Sequence, residues 1–389
     1  MAARFLASAS NEMQAVAVGW QIYSMTNRPL DLGLVGLAQF LPGVFLFLIA
    51  GHTADRFPRQ RILGICAGAF SICSALLLSL TLRGLNSVYP IYAVLLLNGV
   101  VRSFYGPASQ AFLPLLVPEE HFPNAVTWAS SFIQGAMTIG PILGGLVYGI
   151  TGSPIPVYAT AACAYIAAVF LISLVRTKGI ERPRGAATFA MVVEGLRYIW
   201  NNKLILGAIS LDLFAVLLGG AVALLPVYAN DILHVGATGL GILRSAPGIG
   251  AVVMALVVAY RPLRRKAGAI LMWCVAGFGV FTVVFGLSRN LGIALVSLLI
   301  LGACDMVSVI VRHTLVQLGT PDEMRGRVSA VNMVFIGASN EVGQFESGIT
   351  AQWLGTVPAV VAGGLGTIVV VGLWAWMFPE LRRVDRLVK

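Results

Sequence analysis

The stretch GHTADRFPRQR, residues 51–61, separates two long apolar runs and decides how this sequence folds. It opens with a glycine, which lets two helices approach closely, and an acid beside arginines follows it. An ion pair that forms in only one global conformation biases an equilibrium between two conformations. The stretch therefore predicts a gate latch in a tight cytoplasmic hairpin, and an ordinary basic loop is the alternative. The gate residues are Gly51, Asp55, Arg56, Arg59 and Arg61.

The composition around this hairpin is that of a membrane protein. Hydrophobic residues make up 58% of the 389 residues and charged residues 11%, with a mean hydropathy of +0.87. A soluble domain cannot bury that much apolar surface, whereas runs of about 20 apolar residues cross a bilayer as helices. We predict an all-α membrane protein with twelve transmembrane helices. The predicted spans are residues 3–25, 32–52, 62–82, 89–114, 124–150, 155–175, 204–229, 237–260, 267–287, 291–317, 328–352 and 356–378.

The formal net charge of +10 is concentrated in alternate loops. With the N-terminus in the cytoplasm, nineteen loop Lys and Arg residues fall on the cytoplasmic side and three on the other. This bias predicts a multi-pass protein of the bacterial inner membrane with both termini in the cytoplasm. The basic charge then indicates contact with membrane lipids and not with nucleic acid. We expect no metal and no cofactor, because the five cysteines lie inside spans without metal-ligand spacing.

The longest polar connection divides the twelve spans into six and six. We predict an N-terminal six-helix bundle at residues 1–175 and a cytoplasmic linker with an amphipathic helix at residues 176–203. A C-terminal six-helix bundle with a short cytoplasmic tail follows at residues 204–389. An internal repeat supports the division, since residues 40–61 align without gaps on residues 245–266. Duplicated halves of this kind hold a substrate near the membrane midplane.

The hairpin pattern Gly-x-x-x-Asp-Arg-x-x-Arg-x-Arg resembles the signature loop of the major facilitator superfamily of secondary transporters, whose twelve-span plan covers the whole chain. Thr53 and Pro58 depart from the usual residues, which affects the shape of the hairpin more than its charges. Residues 104–126 and 321–348 resemble the enterobactin-exporter-like and macrolide-efflux-like branch. The resemblance implies two pseudo-symmetric six-helix bundles. It also implies export of a small amphipathic molecule, commonly in exchange for protons.

GPILGG, residues 140–145 in the fifth predicted span, resembles the antiporter motif of the same superfamily. Gly140, Gly144 and Gly145 remove side chains from one helix face, and Pro141 kinks the helix. A close-packing face without a transport role is the alternative, because small residues are common in membrane helices.

Ionisable residues inside the spans are the candidates for coupling. Such groups are costly in a membrane and face a water-filled cavity or a partner, although a static structural pair is the alternative for each. Arg102 and Asp305 would pair across the two halves, and Arg244 lies at the depth of Glu346, whereas Glu341 has no obvious partner. The proton-coupling candidates are Glu12, Asp212, Asp305, Glu341 and Glu346, and the charge-pair candidates are Arg102, Arg244 and Arg312.

These features predict a proton-coupled exporter of drug-type or siderophore-type molecules that works by alternating access as a monomer. An importer or uniporter of the same fold is the alternative, followed by a non-transporting membrane scaffold. An intramembrane enzyme is not expected, because the four histidines are dispersed and neither HExxH nor GxSxG occurs. The candidates for contact with the small-molecule substrate are Asn11, Gln14, Trp20, Gln21, Asn332 and Gln344.

Overall fold

The fold was analysed in a computed structural model, which describes residues 1–84, 87–175, 189–261 and 266–385. Within these ranges it does not describe some side chains, including that of the gate residue Asp55. Residues 176–188 of the predicted linker therefore lie outside the described residues. All the regular elements that are described are helices.

Twelve long helices in the described residues follow the predicted spans, because each apolar run satisfies its own backbone hydrogen bonds as a helix. They are α1 (Ala2–Thr26), α2 (Pro29–Arg56), α3 (Arg59–Leu82), α4 (Tyr89–Phe112), α5 (Phe122–Thr151), α6 (Ile155–Ser173), α8 (Lys203–Leu218), α10 (Gly236–Tyr260), α11 (Ala267–Leu287), α12 (Leu291–Leu318), α13 (Asp322–Leu354) and α14 (Thr356–Met377). The short helices are α7 (Phe189–Asn201), α9 (Leu225–Val227) and α15 (Pro379–Arg383). The all-α fold with twelve long helices is confirmed.

Nine of these described segments are long and apolar enough to cross a membrane on their own. The three long helices that fall short are α1, α4 and α13. Each of them carries ionisable or amide side chains within its length, such as Glu12, Arg102 and Glu341. The polarity that lowers their hydropathy is therefore the polarity that marks candidate sites.

The seventh predicted span is not one continuous helix. The helix α8 ends at Leu218, and the chain continues through a 3-10 turn, the short α9 and a π-helical turn that ends at Ile232. A Cβ at Gly219 would lie 2.5 Å from Cε1 of Phe278, and one at Gly220 would lie 2.8 Å from Oγ of Ser347. The two glycines thus let the chain pass close to α11 and α13, and this close passage accompanies the break in the span.

The chain divides into two compact units that are interleaved along the sequence. The first contains α1, the part of α2 from Leu34 onward, α3 to α6, and Val235–Ser245, which includes the first part of α10. The second contains Arg28–Gly33, the rest of α10, and the helices α7 to α9 and α11 to α15. The halves expected from sequence, residues 1–175 and 204–389 with a linker at 176–203, stay a prediction.

The amphipathic helix predicted in the linker forms α7. Gly195 packs on α13, where a Cβ would lie 2.8 Å from the Arg327 carbonyl oxygen, and the exposed Glu194 places Oε1 2.6 Å from Nη1 of Arg327. Tyr198 donates its hydroxyl hydrogen to the carbonyl of Gly319 at 3.1 Å. The opposite side presents exposed apolar side chains, Val193, Leu196 and Trp200.

Candidate functional site

The gate stretch is almost entirely helical. Its first residues complete α2, its last ones begin α3, and only Phe57 and Pro58 lie between the two helices. Arg59 is 6% exposed and donates from Nη1 to the carbonyl of Ala111 in the last turn of α4, at 3.1 Å. The C-terminal carbonyls of a helix lack intrahelical partners, so a buried arginine stabilises this helix end. Gly51 is half-buried, and Arg56 and Arg61 are exposed.

Gln60 acts beside Arg59 and was not among the sequence candidates. Its Nε2 donates to the carbonyls of Ile172 and Val175 at the end of α6, at 2.8 Å in both cases. The hairpin thus holds the ends of α4 and α6 through two successive side chains. No sequence signal identifies this role, because the acceptors are main-chain groups more than 100 positions away.

The glycines of the predicted antiporter motif are contact points of α5. A Cβ at Gly140 would lie 2.7 Å from the Ala9 carbonyl oxygen, and one at Gly144 would lie 2.7 Å from that of Met13, both on α1. A Cβ at Gly145 would lie 2.6 Å from the carbonyl oxygen of Ala237 on α10. Real Cβ atoms do not approach that closely, so both helices pack on α5 only because these positions are glycine. Pro141 is buried within the same helix.

This packing brings Arg244, on the first part of α10, to Glu12 on α1. The distance from Arg244 Nε to Glu12 Oε2 is 4.0 Å, and about a fifth of each side chain is accessible. Arg244 therefore has an acidic partner on α1, and its pairing with Glu346, which helix depth suggests, stays a prediction. Depth along a helix does not reveal which helices are neighbours, and the glycine contacts decide that.

A second ion pair is buried. Arg312 on α12 contacts the carboxylate of Asp212 on α8 through Nη1 and Oδ2. The two residues are 3% and 6% exposed, respectively. Two candidates that the sequence placed in separate groups, a proton site and a charge-pair site, are thus direct partners. His313, the next residue after Arg312, is exposed.

A cavity of about 10 Å³ lies beside this pair, between α8, α11 and α12. Asp212 and Asp305 both line it, together with the hydroxyl-bearing Ser308. The remaining lining residues are Ala215, Val216, Cys274, Val275, Phe278 and Cys304. The cavity therefore holds two carboxylates, one of which contacts the Arg312 guanidinium. Whether Arg102 pairs with Asp305 stays a prediction.

The polar residues of α13 hydrogen-bond largely within their own helix. Gln344 donates from Nε2 to Glu341 Oε2 at 3.3 Å, and Thr350 donates to Glu346 Oε1 at 2.7 Å. Glu341, which the sequence left without an obvious partner, thus has an amide donor one turn away. Asn332 is 2% exposed, and its Oδ1 accepts no hydrogen bond from the described residues.

Two of the predicted substrate contacts on α1, Gln14 and Gln21, are buried. Ser74 donates to Gln14 Oε1 at 2.7 Å, and the hydroxyl of the fully buried Tyr158 donates to Gln21 Oε1 at 2.6 Å. The Gln21 amide also donates to Thr81 at 3.2 Å. These bonds join α1 to α3 and α6, so Gln14 and Gln21 are not carried into the substrate site proposed below.

The other two α1 candidates remain partly accessible. Asn11 is half-buried, and the half-buried indole of Trp20 meets the ring of Tyr148 edge-on at 6.5 Å between centroids. Among the residues that the structure describes, no group of three His, Cys, Asp or Glu side chains is arranged to hold a metal ion.

The arrangement of the helices defines the class of this protein. It is a multi-pass membrane protein with the major facilitator fold. The nucleoside transporter NupG shares that fold with a TM-score of 0.70 at 15% identity, covering 98% of this chain and 97% of NupG. The xylose transporter XylE from E. coli, in an inward-open conformation, has a TM-score of 0.73 at 14% identity, covering 100% and 96% of the two chains.

Within that class, the chain belongs to the transmembrane secretion effector family, whose model matches residues 1–387. Among curated proteins it is similar to the enterobactin exporters EntS of Shigella boydii serotype 4 (strain Sb227) and Escherichia coli (strain SMS-3-5). Each is 26% identical over 387 residues, which cover 98% of this chain and 91% of the exporter. The protein is therefore a transporter of small molecules in the inner membrane, and it is not an enzyme.

Proposed function

We propose that this protein exports a small amphipathic molecule of the siderophore or drug type, by proton antiport with alternating access. The observation that carries the proposal is the buried Asp212–Arg312 pair with Asp305 beside it in one cavity. Charged groups inside membrane helices are costly, and a scaffold would gain nothing from a second acid there. The exporter names of the relatives support the outward direction.

In this proposal, residues 1–175 and 204–389 are two bundles that alternately expose a central site to each side. Both termini and the linker lie in the cytoplasm, basic loop residues contact anionic lipid, and the protein acts as a monomer. The gate residues Gly51, Asp55, Arg56, Arg59 and Arg61 stabilise one conformation. The Arg59 bond to the end of α4 supports this role, because it ties the hairpin to a neighbouring helix.

Proton uptake is assigned first to Asp305, because Arg312 already neutralises Asp212. Glu12 is a second candidate, since its loose pair with Arg244 can break at a lower cost than a buried contact. Glu341 and Glu346, each of which accepts a hydrogen bond from a neutral donor, are the remaining candidates for proton uptake. Asn11, Trp20, Asn332 and Gln344 remain the proposed substrate contacts, and the unbonded Asn332 Oδ1 supports that role for Asn332.

Transport into everted membrane vesicles, whose cytoplasmic face is outside, tests this function. Uptake of a labelled catecholate siderophore and of a cationic dye is compared with and without an imposed pH gradient. We expect gradient-driven uptake of at least one probe, reduced about tenfold or more in Asp305→Asn, which keeps the shape but not the charge. Ser297→Ala, on the same helix, is the matched control.

The same experiment separates the alternatives. Transport that runs equally without a gradient would indicate a uniporter, and accumulation driven in the opposite direction would indicate an importer. If neither probe moves and no proton flux accompanies a wider panel of siderophores and drugs, the exporter assignment fails.

A further inference from the structure

The cavity between α8, α11 and α12 has a feature that the ion pair does not explain. Ser308 is 2% exposed and lines the cavity, yet its Oγ has no hydrogen-bond partner among the described residues. Other hydroxyls on α12 bond to their own helix, since Ser297 donates to the Ile293 carbonyl at 2.7 Å and Thr314 to that of Ile310 at 2.8 Å. A buried hydroxyl without a protein partner points to a ligand.

The size of the cavity indicates what that ligand is. Its volume of about 10 Å³ is close to the space that a single water molecule needs. A buried water requires two to four polar partners, and the carboxylates of Asp212 and Asp305 with the Ser308 hydroxyl supply three. The remaining wall is apolar, apart from the thiols of Cys274 and Cys304.

Three polar side chains of α12 lie in a row along the helix. Asp305, Ser308 and Arg312 are three and seven residues apart, so they share one face of the helix over about 10 Å. Asp212 on α8 contacts Arg312, the last residue of this row. A water beside Ser308 would therefore lie between Asp305 and the Asp212–Arg312 pair.

The charge balance requires one more positive charge. Arg312 neutralises Asp212, and none of the described residues that line the cavity is cationic, so an ionised Asp305 would leave one uncompensated negative charge there. Asp212 is buried and Asp305 is half-buried, and two carboxylates that share a small cavity do not readily both ionise without compensation. Among the described residues, the titratable groups that line the cavity with Asp305 are Asp212 on α8, Cys274 on α11 and Cys304 on α12, and Arg312 contacts Asp212.

We propose that Asp305, Ser308 and Asp212 hold one water in this cavity and together bind a single exchangeable proton. The proton forms an O–H bond on Asp305 when it enters and leaves as hydronium when Asp305 ionises. Ser308 is the positioning residue, because it fixes the water that links Asp305 to the Asp212–Arg312 pair. The proposal rests on the proton coupling proposed above and specifies its site.

Infrared difference spectra of the purified full-length protein between about pH 5 and about pH 8 test the proposal without substrate or gradient. We expect the carbonyl band of one protonated carboxyl group at the acid end. Asp305→Asn should remove it, and Ser308→Ala should shift its frequency, because a hydrogen-bond partner is lost. Ser297→Ala should leave it unchanged, since Ser297 is equally buried at 2% but bonds to its own helix.

Three results would overturn the site: a band that persists in Asp305→Asn, a band unshifted in Ser308→Ala, or a band that sodium abolishes at constant acid pH by occupying the cavity. Thermal unfolding gives a second readout. We expect Tm to rise as the pH falls, and Ser308→Ala to remove about half of that rise. A uniformly higher Tm in Ser308→Ala would indicate a dry cavity and contradict the proposal.

These outcomes are separable from a failure of the exporter assignment. If the spectra behave as expected but no probe is exported, the proton site stands and the proposed cargo or direction is wrong. If export is driven by the pH gradient while the band is absent, coupling resides elsewhere and only this site is lost.

Discussion

Arg312 on α12 contacts the carboxylate of Asp212 on α8, and both side chains are buried. Glu12 and Arg244 form the looser counterpart in the first unit, 4.0 Å apart and partly accessible. A charge in a poorly hydrated interior depends on its partner, whereas an accessible pair is screened by water. The two pairs are therefore expected to differ in what their removal costs.

Asp212→Ala should destabilise the protein by about 3–5 kcal/mol, because it leaves the Arg312 guanidinium buried without its counter-charge. Thermal and chemical unfolding in detergent measure the loss. Arg312→Met added to Asp212→Ala should recover most of it, and Glu12→Ala should cost about 1 kcal/mol or less. If Asp212→Ala and Glu12→Ala lose the same amount of stability, the buried pair contributes no more than the accessible one.

Gly145→Ala should destabilise the contact between α5 and α10 by about 1–3 kcal/mol, because the new Cβ would meet the Ala237 carbonyl oxygen at 2.6 Å. Gly135→Ala on the same helix is the control, since its nearest contact would be an ordinary 3.7 Å to Phe5. Unfolding and gradient-driven efflux are measured together. If Gly145→Ala is as stable as Gly135→Ala, the glycine does not set the helix spacing.

Gln60→Ala should cost about 2 kcal/mol, because two carbonyls at the end of α6 lose their donor. Gln317→Ala, an exposed glutamine on α12, should change stability by about 0.5 kcal/mol or less. Hydrogen exchange at the end of α6 should accelerate in the first variant only. If hydrogen exchange at the end of α6 is unchanged in Gln60→Ala, the hairpin does not hold α6.

Tyr158→Phe should cost about 1–2 kcal/mol, because it leaves the buried Gln21 Oε1 without the hydroxyl that donates to it at 2.6 Å. Tyr89→Phe is the matched control, since Tyr89 is 78% exposed. The measurement is the unfolding midpoint. Reduced export without loss of stability would instead return Gln21 to the substrate contacts.

Much of the fold could be predicted from the sequence. The predicted span 267–287 coincides with α11 (Ala267–Leu287), and the other bounds differ by a few residues, except in the seventh and eleventh spans. Hydropathy suffices for this, because a helix is the local solution for an apolar run in lipid. The seventh span differs because its break at Gly219 and Gly220 accompanies contacts with Phe278 and Ser347, which are distant in sequence.

The candidate site was predicted less completely. Ionisable residues in apolar runs marked Glu12, Asp212 and Asp305, but the partner of each depends on which helices are neighbours. Gln14 and Gln21 are predicted substrate contacts on α1, and only the structure shows that their side chains bond to α3 and α6. Gln60 and Ser308 could not be predicted from the sequence. Gln60 matters because it bonds to carbonyls distant in sequence, and Ser308 because its buried hydroxyl has no hydrogen-bond partner among the described residues.

The sequence by itself determined the helical membrane class, the bounds of most helices and the residues whose charge needs an explanation, because hydropathy and charge are properties of single positions. Only the tertiary structure decided that Asp212 meets Arg312, that Glu12 meets Arg244 and that Ser308 faces a cavity beside Asp305. The reason is physical. Pairing and solvation depend on distances between helices, and contacts such as those of Gly140, Gly144 and Gly145 set those distances.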